Sequence, residues 1–394
     1  MKYKLKDIFD LQMGKTPSRN NADYWNSKDN KWISIADLSK VDMYISETKE
    51  YLSDRAIKES GIKIIPANTV IMSFKLSLGK TAITTQDMYS NEAIMAFHDK
   101  HVVRMLPEYI FYILKYKNWD VDSNKAVMGK TLNKATLSNV EIEICSIEKQ
   151  IEIIQVLNKM MEIMSGKRKE LKFLDDLIKA RFVEMFGNPV SNTKKWMVKK
   201  LKDLSVQINS GNTPKGGSEN YVEEGIVFFR SQNVWKDRLE LDDVAYIDAE
   251  THAKMRRSSL KHGDILMTKT GRINTENSSL GRAALYLGED DMANVNGHVY
   301  YIRLKPEVNN RFILRILVSP EYRDLIRSVC VGGIDKRQLN KEHIEEFPII
   351  CPPSDMVEEY VAFVEQVDKS KVAIQKSLDE TKLLFDSLMQ EYFG

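Results

Sequence analysis

The residues that build disulfides, metal sites and membrane spans are scarce in this sequence. It contains only three cysteines and six histidines in 394 residues. Cys145, Cys330 and Cys351 are too scattered for a zinc knuckle and too few for a disulfide framework. No run of about 18 apolar residues occurs, and the N-terminal segment has no apolar signal core. We therefore expect a cytoplasmic protein without a membrane span or a metal site.

Motifs for catalysis are also missing. Gly-Lys-Thr occurs three times, beginning at Gly14, Gly79 and Gly129, but none has the glycine five positions earlier that a phosphate-binding loop needs. The sequence has no Asn-Pro-Pro-aromatic motif of an amino-methyltransferase, and no serine, histidine and aspartate set can be assembled from it. We predict that the chain has no catalytic residue of its own.

The chain also lacks a large excess of positive charge, since it has 58 basic and 56 acidic side chains. DNA affinity would therefore have to come from local clusters of basic residues, with further phosphate contacts supplied by a partner. The last 41 residues, 354–394, carry four basic and nine acidic side chains. This acidic segment is a candidate docking face for basic partner surfaces.

What the sequence does contain is an internal duplication. Residues 131–187 align without a gap on residues 338–394, at a constant offset of 207. The start of the unit repeats as well, because Leu-Lys-Asp at Leu5 recurs at Leu201, and Gly-x-Thr-Pro at Gly14 recurs at Gly211. The middle of the unit diverges. A repeat of this size predicts two similar modules that do one job on two different ligands.

A heptad pattern runs along the conserved end of each copy. Apolar residues recur at alternating spacings of three and four over about five heptads, which predicts a coiled coil. The predicted seam consists of Ile153, Leu157, Met160, Met164, Leu171, Leu174, Ile178, Val364, Val367, Ile374, Leu378, Phe385 and Leu388. Lys167, Arg181 and Lys371 also fall on this seam, where polar residues set the register.

The simplest pairing is antiparallel and within one chain, because a long module lies between the two helices. The predicted fold class is α+β, with an internal pseudo-twofold repeat and two modules at opposite ends of a long antiparallel two-helix coiled coil. The alternative is that each helix packs on its own module or mediates a homodimer.

The modules between the helices have short strand and helix patterns in alternation. Helices are predicted at 107–116 and 310–318 and strands at 32–35, 70–73, 226–229, 264–268 and 298–304. Loops rich in Gly, Ser, Thr, Asn and basic residues separate them at 14–21, 211–220 and 269–282.

These loops have the chemistry of a DNA-reading surface. Arginine and lysine can bind guanine, asparagine and glutamine can bind adenine, and hydroxyl groups can bind phosphates. For any single residue, a solvated surface position is an equally good interpretation. The candidates are Lys15, Ser18, Arg19, Lys75, Lys80 and Lys130 in the first module, and Arg230, Gln232, Asn233, Lys269, Arg272, Asn274, Arg282, Lys336 and Arg337 in the second.

The order of these features resembles the specificity subunit of type I restriction-modification systems. The resemblance covers the whole chain as module, helix, module and helix. Its marks are the Gly-Lys-Thr-Pro-Ser-Arg segment at Gly14, Gly-Asn-Thr-Pro at Gly211, Gly-Asp-Ile-Leu at Gly263 and the Phe-Gly ends of both helices. Cys351-Pro352-Pro353 matches the family's Pro-Pro before a helix, whereas the first copy has Ile-Cys-Ser at that place.

The resemblance implies two target-recognition domains at 1–147 and 188–353, called module 1 and module 2 below, and two helical spacers at 148–187 and 354–394. Each domain would read one half of a split double-stranded DNA sequence, and the helices would set the spacer. Two methyltransferase subunits would bring S-adenosylmethionine, and two motor-nuclease subunits would bring ATP and Mg²⁺. The chain itself would bind no cofactor.

Two other classes of function remain. A stand-alone nuclease would need an acidic metal-binding cluster, which the sequence does not offer, and cleavage of DNA with magnesium would reveal it. A non-catalytic coiled-coil scaffold would join partner proteins without reading DNA, and indifference of its complex to DNA sequence would favour it.

Overall fold

The computed structural model describes residues 1–75, 77–119, 132–275 and 277–394. The chain divides into two compact units, one formed by Met1–Glu170 with Ile374–Gly394 and the other by Leu171–Ala373. Each unit contains one α+β module and a segment of each of two long helices. No helix among the described residues is long and apolar enough to cross a membrane.

Unit 1 contains three sheets within the part of the chain that the structure describes. Their orders are β2-β9-β6-β7-β4, β5-β3-β8 and β1-β10. The strands are β1 (Lys2–Lys4), β2 (Phe9–Met13), β3 (Asn30–Ile33), β4 (Tyr44–Ile45), β5 (Glu50–Leu52), β6 (Val70–Ser73), β7 (Thr81–Thr84), β8 (Tyr89–Ser90), β9 (Ile94–Asp99) and β10 (Glu141–Glu143). The helices are α1 (Leu5–Ile8), α2 (Ile35–Leu38), α3 (Asp54–Ser60), α4 (Pro107–Tyr116), α5 (Lys134–Ser138) and the first long helix, α6 (Ile147–Phe186), which continues into unit 2.

Unit 2 contains four sheets among its described residues. Their orders are β12-β20-β16-β18, β13-β15-β14-β19, β17-β22-β21 and β11-β23. The strands are β11 (Met197–Lys200), β12 (Ser205–Ser210), β13 (Tyr221–Val222), β14 (Ile226–Phe229), β15 (Ala245–Ile247), β16 (Ile265–Thr268), β17 (Thr270–Arg272), β18 (Ala283–Leu285), β19 (Ala293–Val295), β20 (Val299–Leu304), β21 (Val331–Gly332), β22 (Lys336–Gln338) and β23 (Pro348–Cys351). The helices are α7 (Leu201–Leu204), α8 (Ala249–Lys254), α9 (Asn310–Leu317), α10 (Pro320–Val329), α11 (Lys341–Glu345) and the second long helix, α12 (Ser354–Phe393), which ends in unit 1.

The two modules share one topology. The antiparallel order β2-β9-β6-β7 in unit 1 corresponds to β12-β20-β16-β18 in unit 2. In the second sheet, β3 pairs antiparallel with β5 and parallel with β8, as β14 does with β15 and β19. The predicted α+β class and the internal repeat are therefore confirmed. The structural repeat therefore includes the middle part of each module, where the two sequences have diverged.

The repeated Gly-x-Thr-Pro motif has a steric cause. Gly14 donates its N–H to the carbonyl of Ile94 at 3.1 Å, and Gly211 donates to Val299 at 2.8 Å. A Cβ atom at either glycine would collide with backbone carbonyl oxygens at the end of the neighbouring strand. Only glycine allows the chain to pass this close to another backbone segment.

Most predicted elements of the modules match the structure. The strands at 70–73 and 226–229 and the helix at 107–116 have the predicted limits. The segment 32–35 differs, since β3 ends at Ile33 and Ser34 then caps α2. The Ser34 hydroxyl and the Asp37 carboxylate form a capping box there, which starts a helix where alternating apolar residues predict more strand.

The long helices run antiparallel in each unit. In unit 1, Lys149 near the start of α6 lies over the ring of Tyr392 near the end of α12. In unit 2, Arg181 near the end of α6 forms an ion pair with Glu359 near the start of α12 at 2.6 Å. The pairing predicted from the heptads is thus confirmed, and the two helix ranges are related by the same offset of 207 as the sequences.

The predicted seam residues lie along the less exposed line of each helix. Nine of the thirteen are buried, and Leu171, Leu174, Ile374 and Leu388 are half-buried. The three polar seam residues all have partners on the other helix. Lys167 Nζ donates to Ser377 Oγ at 2.6 Å within unit 1, and Lys371 Nζ contacts Asp175 Oδ1 at 2.6 Å within unit 2.

Each module is anchored on its own helix segments by aromatic side chains. In unit 1, the Tyr112 hydroxyl of α4 donates to Asn158 at 2.6 Å, and the Tyr116 ring contacts Phe385 with ring centroids 5.3 Å apart. In unit 2, Phe312 of α9 packs on Phe186 of α6, which contacts Tyr360 of α12. The core of each module therefore continues into the helix pair beside it.

Candidate nucleic-acid interface

In module 1, the loop after β2 presents an arginine held between aromatic and acidic groups. The Arg19 guanidinium lies 3.7 Å above the Trp25 ring, and it forms a two-pronged ion pair with Glu50. The Trp25 indole N–H donates to the Ser18 carbonyl at 3.1 Å, which ties the loop to this ring. Arg19 remains about half exposed, with 48% of its side-chain surface accessible.

Glu92 is an acidic residue of module 1 that interacts electrostatically with two of the predicted cations. Its carboxylate accepts a hydrogen bond from the Thr16 hydroxyl, which is the main cause of a lowered pKa of Glu92. The positive charges of Lys75 and Arg19 lower this pKa further.

The remaining lysines of module 1 have other surroundings. Lys15 donates to the Ser60 carbonyl at 2.5 Å, and Lys80 donates to Ser39 Oγ at 2.5 Å. Lys130 lies outside the described residues. The DNA contacts proposed for these three lysines stay predictions.

In module 2, three predicted residues converge on the segment before β15. Arg230 Nη2 donates to the backbone carbonyl of Asp243 at 2.7 Å and contacts its Oδ1 at 3.1 Å. Gln232 Nε2 donates to the other carboxylate oxygen at 3.0 Å. The Gln232 hydrogen bond, followed by the charge of Arg230, lowers the pKa of Asp243. This carboxylate therefore stays ionised, with 78% of its side chain exposed.

Asn233 is buried and holds a loop of module 2, and its DNA contact stays a prediction. It is 1% exposed, its Oδ1 accepts from the Arg230 N–H, and its Nδ2 donates to the carbonyls of Glu240 and Asp243. Asp37 of module 1 occupies the corresponding place, since it accepts from the Ser34 N–H in the same capping arrangement. A side chain whose amide is used to hold a loop has no donor left for a base.

Arg282 is likewise committed to the protein interior. It is 8% exposed, stacks 3.9 Å from the Trp235 ring, and donates to the backbone carbonyls of Ser278 and Asn277. Burial lowers the pKa of its guanidinium. Arg282 therefore holds the loop 277–282, and its DNA contact stays a prediction.

The third sheet of module 2 gathers four further candidates. Arg272 lies opposite Lys336 in the register of β17 and β22, and Gly271 lies opposite Arg337. Arg272 is 67% exposed and lies 3.3 Å from Asp335, and Asn274 is exposed beyond the end of β17. The Nε atom of Arg337 is buried and has no hydrogen-bond partner among the residues that the structure describes. This basic sheet has the donors that a DNA backbone or base edge requires.

Lys269 leads into that sheet. Its backbone carbonyl accepts from the Leu339 N–H at 2.9 Å, and its ammonium group lies 5.7 Å from the centre of the Tyr300 ring. It is half-buried, so its DNA contact stays a prediction.

The sequence interpretation missed three residues that the structure places beside these candidates. Asp243 and Glu50 are the carboxylates that hold the arginines. Ile334 is 91% exposed at the tip of the hairpin formed by β21 and β22. The sequence marks Ile334 as a lone isoleucine between Gly-Gly and Asp-Lys-Arg, a pattern that indicates an exposed turn. No sequence pattern marks Asp243 or Glu50, because the arginines that they pair with lie in other segments of the chain.

Known proteins share this architecture. The family model for the type I restriction modification DNA specificity domain matches residues 1–172 and again residues 193–381. The chain belongs to this family. It is a DNA specificity subunit of a type I restriction-modification system, and each matched segment contains one module with part of a long helix.

Relatives of this specificity subunit match over its full length. The MjaIX specificity subunit of Methanocaldococcus jannaschii is 26% identical, covering 98% of this chain and 90% of that protein. The crystal structure of the S subunit from M. genitalium matches with a TM-score of 0.54 at 14% identity, covering 100% of this chain and 96% of that one. A structure from a study of complex assembly and conformational transition of the type I system matches with a TM-score of 0.56 at 16% identity. The match covers 100% of this chain and 97% of that one. Both structures share the fold.

Proposed function

We propose that module 1 and module 2 each read one half of a bipartite DNA target. The observation that carries this proposal is the shared topology of two modules whose sequences and loop chemistry differ. A common frame places the reading loops equivalently, and different side chains on that frame select different bases. The reading residues proposed for module 1 are Arg19 and Lys75, and those for module 2 are Arg230, Gln232, Arg272, Asn274, Lys336 and Arg337.

The paired helices would act as the spacer between the half-sites. A helix of 40 residues such as α6 is about 60 Å long. Cross-helix pairs such as Arg181 with Glu359 and Lys371 with Asp175 fix the register of the pairing. A fixed register keeps the two readers in one relation to the DNA helix, which split-site recognition requires.

The helices would also dock the methyltransferase subunits. Away from the seam they expose large apolar side chains, including Phe173 at 65%, Val372 at 70% and Leu383 at 70%. In unit 2, a groove of about 1280 Å³ runs between module 2 and α12, with Leu241, Leu287 and Val372 in its lining. Exposed apolar surface of this kind is typical of protein interaction sites.

The chemistry would come from the partners. In this proposal the chain contributes no catalytic residue and binds no cofactor, two methyltransferase subunits use S-adenosylmethionine, and two motor-nuclease subunits use ATP and Mg²⁺. A target base would leave the stack to reach the methyltransferase.

Mapping N6-methyladenine across a host genome tests the proposal. The map is recorded with this gene and its methyltransferase partner present, and again with this gene deleted. A split motif that vanishes on deletion supports the two-reader model and reveals both half-sites and the spacer. An unchanged map with an active partner contradicts it and favours a scaffold that joins proteins without reading DNA.

A further inference from the structure

The two modules share an acidic feature next to their proposed reading arginines. In module 1 the carboxylate is Glu50, paired with Arg19, and in module 2 it is Asp243, paired with Arg230. Glu50 is the first residue of β5, and Asp243 lies two residues before β15. β5 and β15 hold the same position, antiparallel to the central strand of the second sheet. The two carboxylates thus lie on corresponding strand segments, two positions apart in the register, since Glu50 lies opposite Trp32 and Ala245 opposite Phe228. The arginines come from different segments, Arg19 from the loop after β2 and Arg230 from the end of β14.

Both pairs are only partly buried, since Arg230 is 21% exposed beside Asp243, and Arg19 and Glu50 are 48% and 34% exposed. Water and salt screen ion pairs in such positions, so their contribution to folding is small. Asp243 is 78% exposed, and the loop it belongs to is already held by its own backbone carbonyl, which accepts from Arg230 and Asn233. The Asp243 carboxylate already accepts from Arg230 and Gln232, and its remaining lone pairs face the solvent, where a ligand can reach them.

An ionised carboxylate only accepts hydrogen bonds. In the major groove it matches the amino groups of cytosine N4 and adenine N6, and it is repelled by the oxygens of guanine and thymine. A bare carboxylate would also be repelled by the DNA phosphates. The neighbouring arginine offsets that charge in both modules, and in module 2 Gln232 adds a further donor to Asp243 Oδ2 at 3.0 Å.

We propose that Asp243 and Glu50 are specificity-determining residues, each accepting a hydrogen bond from the amino group of one base in the half-site that its module reads. The arginine beside each carboxylate positions it and contributes to the same reading unit. This inference rests on the proposed two-reader function.

The test uses the purified chain with its methyltransferase partner on duplexes in which every position of the mapped target is varied in turn. Asp243→Asn retains the size of the side chain, but its amide can either accept or donate. It should therefore tolerate guanine or thymine at one position of the module 2 half-site, on the order of tenfold better than the unaltered chain. The module 1 half-site should keep its preferences.

Glu50→Gln provides the second variant, with relaxation expected at one position of the other half-site only. Glu346→Gln is the matched control, since Glu346 is likewise a carboxylate paired with basic side chains, Lys200 at 2.5 Å and Lys202 at 2.6 Å, and neither is a proposed reader. This control should leave every base preference unchanged.

The outcomes separate the inference from the proposed function. Reduced methylation with unchanged base preferences in both variants would give the carboxylates a purely structural role and overturn the inference. Relaxation in both half-sites from a single variant would overturn it as well. If the unaltered complex methylates no split sequence at all, the proposed function itself is wrong.

Discussion

At the scale of single residues, arginines of module 2 that look alike in the sequence have different surroundings. Arg282 is buried against Trp235, Arg230 is held by Asp243, and Arg272 is 67% exposed on the basic sheet. A guanidinium can fork onto a guanine only if its donors are free or can be released. The exposed position of Arg272 makes it the clearest test of base reading in this module.

Arg272→Ala should weaken discrimination at particular bases of the module 2 half-site by about 1 to 3 kcal/mol if Arg272 binds a base edge. Binding titrations with the mapped target and with single-base variants measure this. Lys336→Ala on the opposite strand is the comparison, with a loss expected for all sequences alike. If Arg272→Ala weakens binding to all sequences equally, Arg272 contacts a phosphate and does not read a base.

A buried ion pair in module 2 allows a stability prediction. Asp264 is 1% exposed, and its two oxygens accept from Arg303 at 2.9 and 2.7 Å and from the Lys261 N–H at 2.8 Å. Asp264→Ala leaves Arg303 without its charge partner, so we expect about 3 kcal/mol of destabilisation. Urea unfolding measures it, and the surface variant Glu346→Gln should change the midpoint little. Equal stability of the two variants would contradict the prediction.

At the scale of elements, the long helices combine an apolar seam with a few polar pairs. The apolar positions favour pairing in general, and the partners of Lys167 and Lys371 select one register of the antiparallel pair. Pairing strength and pairing register therefore depend on different residues of the same seam.

Adding one heptad to both helices should lengthen the unread spacer. Seven helical residues inserted after Glu170 and after Ala373 add about 10.5 Å of rise. This equals at most about three base pairs at 3.4 Å each. Both half-sites should remain the same in the methylation map. Insertion into α6 alone is the control, and it should impair folding because the seams no longer match. A changed half-site in the double insertion would argue against a spacer role.

At the scale of the whole molecule, the duplication separates scaffold from reader. Strand order, helix ends and the Gly-x-Thr-Pro turns are common to both copies, whereas the proposed reading side chains differ. One module can therefore change its ligand while the frame that presents it stays intact.

Exchanging residues 197–353 for the equivalent module of a relative should alter one half of the recognised sequence and leave the other half and the spacer intact. The boundaries fall at the start of β11 and just before α12, so both long helices are kept. The methylation map of the chimera measures the result. A change in both halves would contradict independent readers.

The architecture was predictable from the sequence because its determinants repeat. The constant offset of 207 residues shows that both long helices share one heptad register. The alternating spacing of three and four residues between apolar positions predicts which residues form the seam. The α2 capping box was not foreseen, since Ser34 and Asp37 continue a run that also fits a strand. Local hydrogen bonds outweighed the apolar pattern there.

The repeat and the heptads are enough to predict the duplicated α+β plan, the helix pair and the family. The exposure of each polar side chain, in contrast, is set by the tertiary structure. It buried Asn233 and Arg282 and paired Arg19 with Glu50, 31 residues away. This difference arises because a heptad pattern or a repeat lies within one continuous segment of sequence. The burial of a side chain depends on segments that meet only when the chain folds.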